Sequence, residues 1–332
     1  MRLSIAIAVL ALVSSVGPAL AQTLPASGPT NIPASKPVGK NLKVLCSVLP
    51  VYLFTKNVAA GSNLKVELML PANLGCPHDY ALTPQDMHKI AASDLLVVNG
   101  QNLEEFLGQP VSEANPRIKV IDSSAGIKEL IKMKDDDDDG DHADHVGGDA
   151  PGHHHHSGIN PHLFAAPRMA GLQAATIAAE LAKADPDNTA LYAANAKAFA
   201  DKMGKLADEF SAAAKTFPSK KIVTEHAVFD YLARDAGLEI VAVIEESPGQ
   251  EPSAAQMLDI IKKIKASGAA AVFTEPQYSA KVAQAIAKEA GVKVAVLDPV
   301  AGGPDNASVD YYEKTMRANL ETLKKVLGDK SR

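Results

Sequence analysis

Short apolar runs alternate with amphipathic stretches along the first part of the chain. Four of these runs are typical of buried strands: LKVLCSVL (42–49), LKVELML (64–70), DLLVVNG (94–100) and IKVIDS (118–123). Residues 49–60 and 83–93 have helical periodicity, and Thr83-Pro84 is a typical helix start. Strands that alternate with helices predict a mostly parallel sheet covered by helices.

The same alternation returns in the last third of the chain. Four further apolar runs predict strands: KIVTEH (221–226), EIVAVI (239–244), AAVFTEP (270–276) and KVAVLDP (293–299). Helical patterns cover residues 227–237, 253–268, 279–291 and 308–327, and two more helices are predicted at 167–185 and 187–216. The predicted fold class is α/β, with two similar domains that are joined by a long rigid helix. The expected boundaries are 41–186 for the N-terminal domain, 187–217 for the linker helix and 218–332 for the C-terminal domain.

Composition and charge exclude some classes of function. The chain has 332 residues and is 46% hydrophobic, which is enough for two ordinary domains with real cores. Eight aspartates and no Lys or Arg lie in residues 135–158, so most of the formal charge of -6 belongs to one segment. Because the remainder is nearly neutral and lacks tryptophan, we expect no nucleic-acid partner.

The N-terminal residues have the pattern of an export signal. Arg2 precedes an apolar stretch, and Ala19-Leu20-Ala21 is a typical cleavage site, so residues 1–21 are predicted to be a signal peptide. Residues 22–40 are rich in Pro, Ser, Gly and Ala and are predicted to form a flexible tether. The mature protein is therefore expected to be exported.

Residues 134–158 form a low-complexity segment that cannot build a core and is predicted to be a disordered loop within the N-terminal domain. It contains six of the ten histidines: His142, His145, His153, His154, His155 and His156. One interpretation is a solvated acidic tract without a role. The other is a low-affinity zinc collector, because clustered imidazoles and carboxylates bind metals.

Three of the remaining histidines follow strands or open helices. His78, His162 and His226 lie in GCPHDY, INPHLF and VTEHAVF, whereas His88 lies inside an amphipathic helix and is expected to be a surface or packing residue. Ligands of open α/β sheets bind beyond the carboxyl ends of strands, so these three imidazoles can converge on one cleft. With the strand-end carboxylate of Asp298 they suit tetrahedral zinc, whereas calcium or magnesium would need more oxygen donors.

These motifs resemble a known family. GCPHDYALTPQDMHKIAASDLLVVNGQNLEEFL, NPHLF, TEHAVFDYLARDAGLE and VFTEPQYS followed by VAVLDPVAG occur in this order. Together they are similar to the zinc/manganese solute-binding proteins of ABC transporters, the ZnuA-like group of cluster A-I. The resemblance extends from about residue 42 to 328 and includes the position of the His/Asp-rich loop.

The resemblance implies a metal site in the cleft between two domains. It assigns ligand roles to His78, His162, His226 and Asp298. Manganese-preferring relatives usually have Glu at the position of His226, so zinc is the expected ion and a manganese-binding homologue is the alternative. Glu275 is expected first as a structural residue or one that supports a ligand, although it or a water could take the fourth ligand position.

The resemblance also implies partners. It predicts that a monomeric protein in the periplasm of a Gram-negative bacterium delivers zinc to the membrane permease of an ABC transporter, and that a periplasmic zinc metallochaperone can load it. A free periplasmic zinc buffer or an adhesin is a second possibility. A zinc hydrolase is the enzymatic alternative, but the chain has no H-E-x-x-H or G-x-S-x-G motif, so no enzyme activity is expected.

The two cysteines of the chain lie near the first predicted ligand. Cys46 ends the first predicted strand, and Cys76 precedes His78 by two residues. An exported protein can form disulfides, so a Cys46–Cys76 bond is expected. Two separate buried thiols, or an approach of Cys76 to the metal, are the alternatives.

Overall fold

Each half of the chain forms a four-stranded parallel sheet. The computed structural model describes residues 39–75, 77, 80–133, 158–245 and 250–328. The first sheet has the strand order β2-β1-β3-β4. Its strands are β1 (Lys43–Cys46), β2 (Lys65–Leu68), β3 (Leu95–Val98) and β4 (Lys119–Asp122). The signal peptide, most of the tether and nearly all of the His/Asp-rich loop lie outside the described residues, as do Cys76 and His78.

The second sheet repeats this topology with the order β6-β5-β7-β8. Its strands are β5 (Lys221–Thr224), β6 (Glu239–Val243), β7 (Ala271–Thr274) and β8 (Lys293–Val296). Every predicted strand is therefore present. The apolar run of β7 is buried along its whole length, as expected for an inner strand of a sheet that is covered on both faces.

The helices cover these sheets. Those of the first half are α1 (Leu49–Val58), α2 (Pro84–Ala91), α3 (Gly108–Ala114) and α4 (Pro167–Ala184). Helix α2 begins as predicted, because Thr83 and Asp86 cap it reciprocally. Helix α3 was not predicted. After α5 (Thr189–Ala214), the second half contains α6 (Asp230–Ala236), α7 (Ala254–Ser267), α8 (Lys281–Ala290) and α9 (Tyr311–Leu327).

Helix α5 connects the two sheets. It has 26 residues and spans roughly 39 Å at about 1.5 Å per residue. It starts later than predicted, because Pro186–Asn188 form a separate 3₁₀ turn. Helix α5 packs along α4 and also contacts α1, α6 and α9, so helices of both halves support it.

The C-terminal helix also packs against the first half. Tyr312 of α9 meets Phe54 of α1 edge to face at 5.0 Å between ring centroids, and its hydroxyl donates to the carbonyl of Phe164 at 2.7 Å. All described residues belong to one compact unit. The boundaries of the two predicted domains therefore remain a prediction. Within the described ranges, no helix combines the length and apolarity needed to cross a membrane.

The structure does not show the expected disulfide: Cys46 is a free thiol, and Cys76 lies outside the described residues. The side chain of Cys46 is fully buried among the apolar residues of the core at the end of β1. Burial raises the pKa of the Cys46 thiol to about 12, and the nearby Thr55 side chain only partly offsets this. A thiol so placed stays protonated and unreactive near neutral pH.

Candidate metal centre

Three buried side chains lie at the carboxyl ends of neighbouring strands in the second sheet. His226 follows β5, Glu245 follows β6 and Glu275 follows β7, and these strands are adjacent in the order β6-β5-β7. All three side chains are almost completely buried. This is the edge at which open α/β sheets bind ligands.

The imidazole of His226 lies between two carboxylates. Its Nδ1 is 2.7 Å from Oε1 of Glu275, and its Nε2 is 3.2 Å from Oε2 of Glu245. The ring of Tyr278 lies beside it, at 4.5 Å between ring centroids. Ionised carboxylates only accept hydrogen bonds, so this arrangement favours an imidazole that is protonated on both nitrogens.

The pKa of His226 reflects this environment. Burial lowers the pKa of His226, but the hydrogen bond to Glu275 and the charge of that carboxylate raise it. The charge of Glu245 adds to the effect, and the net result is a pKa above the usual histidine value. Protons therefore compete for this ring at a higher pH than usual.

Glu275 is held in place from both ends. Its backbone N–H donates to Oε2 of Glu225 at 2.8 Å, and Nε2 of Gln277 donates to its Oε2 at 2.6 Å. Burial raises the pKa of Glu225, and the charges of the nearby carboxylates raise it further. The hydrogen bond that Glu225 accepts from the N–H of Glu275 only partly offsets this. Both oxygens of Glu275 thus have fixed partners, His226 and Gln277. This supports the prediction that Glu275 is a supporting residue.

His162 opens a 3₁₀ turn that leads into α4. Its backbone N–H donates to Oδ1 of Asn160 at 2.9 Å, and its ring Nδ1 lies 2.8 Å from the same oxygen. Nδ2 of Asn160 donates to the carbonyl of Ala227 at 2.7 Å, next to His226. One asparagine therefore orients the second predicted ligand and ties its segment to that of the third.

Asp298 lies just beyond β8 and is half-buried. Its Oδ1 accepts the N–H of Val300 at 2.7 Å. Val300 is fully buried with φ of 65°, a left-handed conformation that is strained for a β-branched residue. Burial raises the pKa of Asp298, and the charge of Glu275 raises it further. Asp298 is therefore close enough to Glu275 to interact with it electrostatically.

The segment that leads to His78 lies against the second half of the chain. The N–H of Gly303 donates to the carbonyl of Ala72 at 2.8 Å. Gly75 has φ of 82°, and a Cβ at this position would lie 3.1 Å from Cγ of Gln277. Only glycine fits easily here, because the conformation is left-handed and the neighbour is close.

The structure thus links the segments of His162 and His226 through Asn160 and places Asp298 near Glu275. It does not assemble these residues into a metal-ligand set. Among the described residues, no group of three His, Cys, Asp or Glu side chains has metal-binding geometry. The ligand set therefore remains a prediction. The six loop histidines lie outside the described residues. His88 is exposed on α2, as expected for a surface residue.

Sequence reasoning missed four residues of this region. Asn160 and Gln277 gave no strong signal, since polar residues in loops are common. Glu225 and Glu245 end apolar strands, and the strand-end rule that selected His226 could have selected them too.

A cavity of about 640 Å³ lies elsewhere, between β3, β4 and α3. Leu96, Val111 and Val120 contribute apolar walls, and Glu104 and Asp122 lie at its polar end. None of the predicted ligands that the structure describes lines it. The predicted metal centre therefore does not coincide with this cavity.

Glu104 lies beside this cavity, and its buried carboxyl accepts hydrogen bonds from three neighbouring residues. It accepts hydrogen bonds from Oγ of Ser47 at 2.6 Å and from the backbone N–H groups of Asn99 and Gly100 at 2.6 and 3.2 Å. Burial nevertheless raises the pKa of Glu104 to about 7. The group therefore titrates near neutral pH, where solvated glutamates are ionised.

Comparisons with known proteins agree on one family. The family model described as "Zinc-uptake complex component A periplasmic" matches residues 44–326. The zinc-binding protein AdcA of Streptococcus pyogenes serotype M3 is 32% identical over 290 residues, which cover 85% of this chain and 55% of that protein. The high-affinity zinc uptake system protein ZnuA of Bacillus subtilis (strain 168) is 30% identical over 297 residues, covering 88% and 90% of the two chains.

Solved structures agree with the sequence comparisons. A ZnuA deletion mutant with zinc bound superposes with a TM-score of 0.71 at 28% identity, covering 88% of this chain and all of that one. The names of these relatives describe metal binding or uptake and not catalysis. The chain spans about half the length of the streptococcal relatives that it matches.

Proposed function

The chain belongs to the family of periplasmic zinc-uptake complex component A proteins, which are solute-binding proteins and not enzymes, and we propose that it captures zinc for an importer. The proposed ligands are His78, His162 and His226, with Asp298 as a further donor. Zinc is the cargo, so the site must bind it tightly and still release it. A filled ligand set suits this task better than the open coordination position of a catalytic zinc.

The orientation of the two described histidines carries this proposal. Nδ1 of His162 lies 2.8 Å from Asn160, and Nδ1 of His226 lies 2.7 Å from Glu275. A side-chain oxygen on one ring nitrogen fixes the imidazole and directs the other nitrogen to a metal. Two histidines of this kind, whose segments are linked by Asn160, support a metal site.

The choice of zinc rests on the imidazoles. Three histidines suit zinc, whereas manganese prefers carboxylates and other oxygen donors. The carboxylates of Glu245 and Glu275 beside His226, with Asp298 near Glu275, are the observation that favours a manganese-binding homologue as the alternative. A direct comparison of the two ions decides between them.

Delivery to a transporter is the second part of the proposal. The bound zinc passes to the membrane permease of an ABC transporter in the inner membrane, and a periplasmic metallochaperone can load the site. The protein acts as a monomer in the periplasm of a Gram-negative bacterium, after removal of residues 1–21. The family description, which names a periplasmic component of a zinc-uptake complex, supports this assignment.

The His/Asp-rich segment has an accessory part in this proposal. Its six histidines bind further zinc ions weakly, because a low-complexity sequence offers many possible ligand sets and favours none of them. The segment ends just before Asn160, which contacts His162. Zinc held there is therefore kept at a high effective concentration near the cleft.

Metal titration of the purified chain without residues 1–21 tests the proposal. We expect one tightly bound zinc in a variant that lacks residues 135–157, with much weaker binding of manganese. His162→Ala and His226→Ala should each weaken zinc binding severely, whereas His88→Ala should not. Tighter binding of manganese would favour the alternative, and wild-type affinity in the double variant His162→Ala, His226→Ala would refute the site.

Transport separates the importer component from a free zinc buffer or an adhesin. In a strain that lacks the gene, growth under zinc limitation should fail and should be restored by the wild-type protein. The His226→Ala variant should not restore it. Normal zinc uptake in the deletion strain would argue for the buffer or adhesin.

A further inference from the structure

The carboxylate of Glu245 lies beside the ring nitrogen of His226 that faces away from Glu275. We propose that Glu245 is an additional metal ligand, so that a zinc ion on Nε2 of His226 also binds Oε2 of Glu245. The inference rests on the proposed function, because it assigns one more donor to the same site. Neither the sequence motifs nor the predicted ligand set include this residue.

The distance between the two atoms fits a shared ion. Two donors of a tetrahedral zinc, each at about 2.0 Å from the metal, lie about 3.3 Å apart. Nε2 of His226 and Oε2 of Glu245 are 3.2 Å apart. A zinc ion can therefore replace the proton between them without a large movement of either side chain.

The other ring nitrogen of His226 is less suited to the metal. Nδ1 has the shorter contact, 2.7 Å, and its partner Glu275 is fixed by Gln277 and by the backbone contact with Glu225. Breaking this contact would disturb three hydrogen-bonded groups. Nε2 is therefore the nitrogen that binds zinc, and the carboxylate beside Nε2 is the one that reaches the ion.

Glu245 is presented from a fixed backbone. Its N–H donates to the carbonyl of Glu225 at 2.9 Å, which continues the pairing of β6 with β5. The side chain is almost completely buried, as are those of Glu225 and Glu275. Several buried carboxylates around one imidazole repel each other, and a divalent cation offsets this repulsion better than a proton does.

The consequence is a richer donor set than three imidazoles and Asp298. An added carboxylate oxygen permits five-coordinate zinc and makes the site more tolerant of harder ions such as manganese. Selectivity for zinc then depends on Glu245 as well as on the histidines.

Two substitutions test the assignment. Glu245→Gln keeps the shape of the side chain and removes its charge, and Glu245→Ala removes the donor. Glu239→Gln, at the exposed amino end of the same strand, is the matched control. The chain without residues 1–21 is loaded with cobalt to report coordination, and zinc affinity is measured by competition with a chromophoric chelator.

Residues that only support a metal ligand change metal affinity by about 10- to 100-fold when they are replaced. We expect both Glu245 variants to lose at least this much zinc affinity. The visible absorption bands of bound cobalt should also change in position and intensity, since one oxygen donor is lost. The control should match the wild type in both measurements.

Several results would overturn the assignment. Unchanged or tighter zinc binding in both variants would mean that Glu245 only holds His226 in the metal-free protein. Weaker binding with an unchanged cobalt spectrum would make Glu245 a positioning residue. If the wild-type protein itself binds no zinc tightly, the proposed function fails, and that result is distinct from either of these.

Discussion

Nδ1 of His226 and Oε1 of Glu275 lie 2.7 Å apart, across the adjacent ends of β5 and β7. The pair is almost completely buried, so water screens it little. A carboxylate in this position fixes the ring and makes its other nitrogen a stronger electron donor. The properties of the predicted zinc site should therefore depend on Glu275 even if this residue never contacts the ion.

Replacing Glu275 by glutamine should weaken zinc binding by about 10- to 100-fold, because the amide supports the imidazole less well than the carboxylate. Competition with a chelator of known affinity measures this effect. Glu289→Gln on the exposed face of α8 serves as the control. Equal affinities of Glu275→Gln and the wild type would show that the pair has no influence on the metal.

Zinc affinity should fall as the pH drops through and below neutrality. Protons and zinc compete for His226, and its pKa is raised, so the competition begins at a higher pH than for an ordinary histidine. Titrations between about pH 5.5 and about pH 8 measure this dependence. In Glu275→Gln the dependence should move to lower pH, and an identical pH profile in the two proteins would contradict the role assigned to Glu275.

Asn160→Ala should weaken zinc binding by about 10-fold or more, because His162 loses the acceptor that orients its ring. The variant also loses the hydrogen bond to the carbonyl of Ala227, so some loss of stability is expected. Thermal unfolding of the metal-free protein separates the two effects. A variant that is less stable but binds zinc normally would limit Asn160 to a structural role.

Glu104 should make stability depend on pH away from the metal site. Its folded pKa of about 7 lies above the value in the unfolded chain, so its contribution is fully present below about pH 4.5 and is lost as the pH rises through about 7. Between these pH values the free energy of unfolding of the wild type should fall by about 3 kcal/mol relative to that of Glu104→Gln, whose amide does not titrate. Urea unfolding of both metal-free proteins at several pH values measures this difference, and parallel profiles would refute it.

Deleting residues 135–157 should leave the tight zinc site intact and remove weaker zinc equivalents. The deleted segment holds the six clustered histidines, and its low-complexity sequence offers many possible ligand sets of similar energy. Calorimetry of both proteins gives the stoichiometry. If the two proteins bind the same number of zinc ions and take zinc from a donor at the same rate, the segment has no part in zinc binding.

The architecture could be predicted because its signals are local and strong. Each strand is a short apolar run between helical patterns, and each run is present as a strand. Helix α3 was missed because its sequence, GQPVSEA, contains Gly108 and Pro110 and only one buried apolar residue, Val111. Such a helix is stabilised mainly by its neighbours, which a single sequence does not contain.

The side-chain arrangement was harder to predict. The sequence located Cys46 at the end of a predicted strand but did not show on which face of the sheet its side chain lies. Fully buried strands lack the alternation of polar and apolar residues that would decide this. The contacts of Asn160 and Glu245 likewise depend on distances between segments far apart in the chain. The histidines were easier to identify, because few residue types bind zinc.

The contact between Asn319 and Asp298 makes the predicted site depend on the last helix of the structure. Asn319 accepts the N–H of Asp298 at 2.9 Å and donates to its carbonyl at 2.7 Å, so the last helix holds this predicted donor in place. The two hydrogen bonds act on the backbone of Asp298, so they fix where its side chain starts without occupying its carboxylate. A shift of α9 would therefore move Asp298 as well, which couples the position of this helix to the predicted donor.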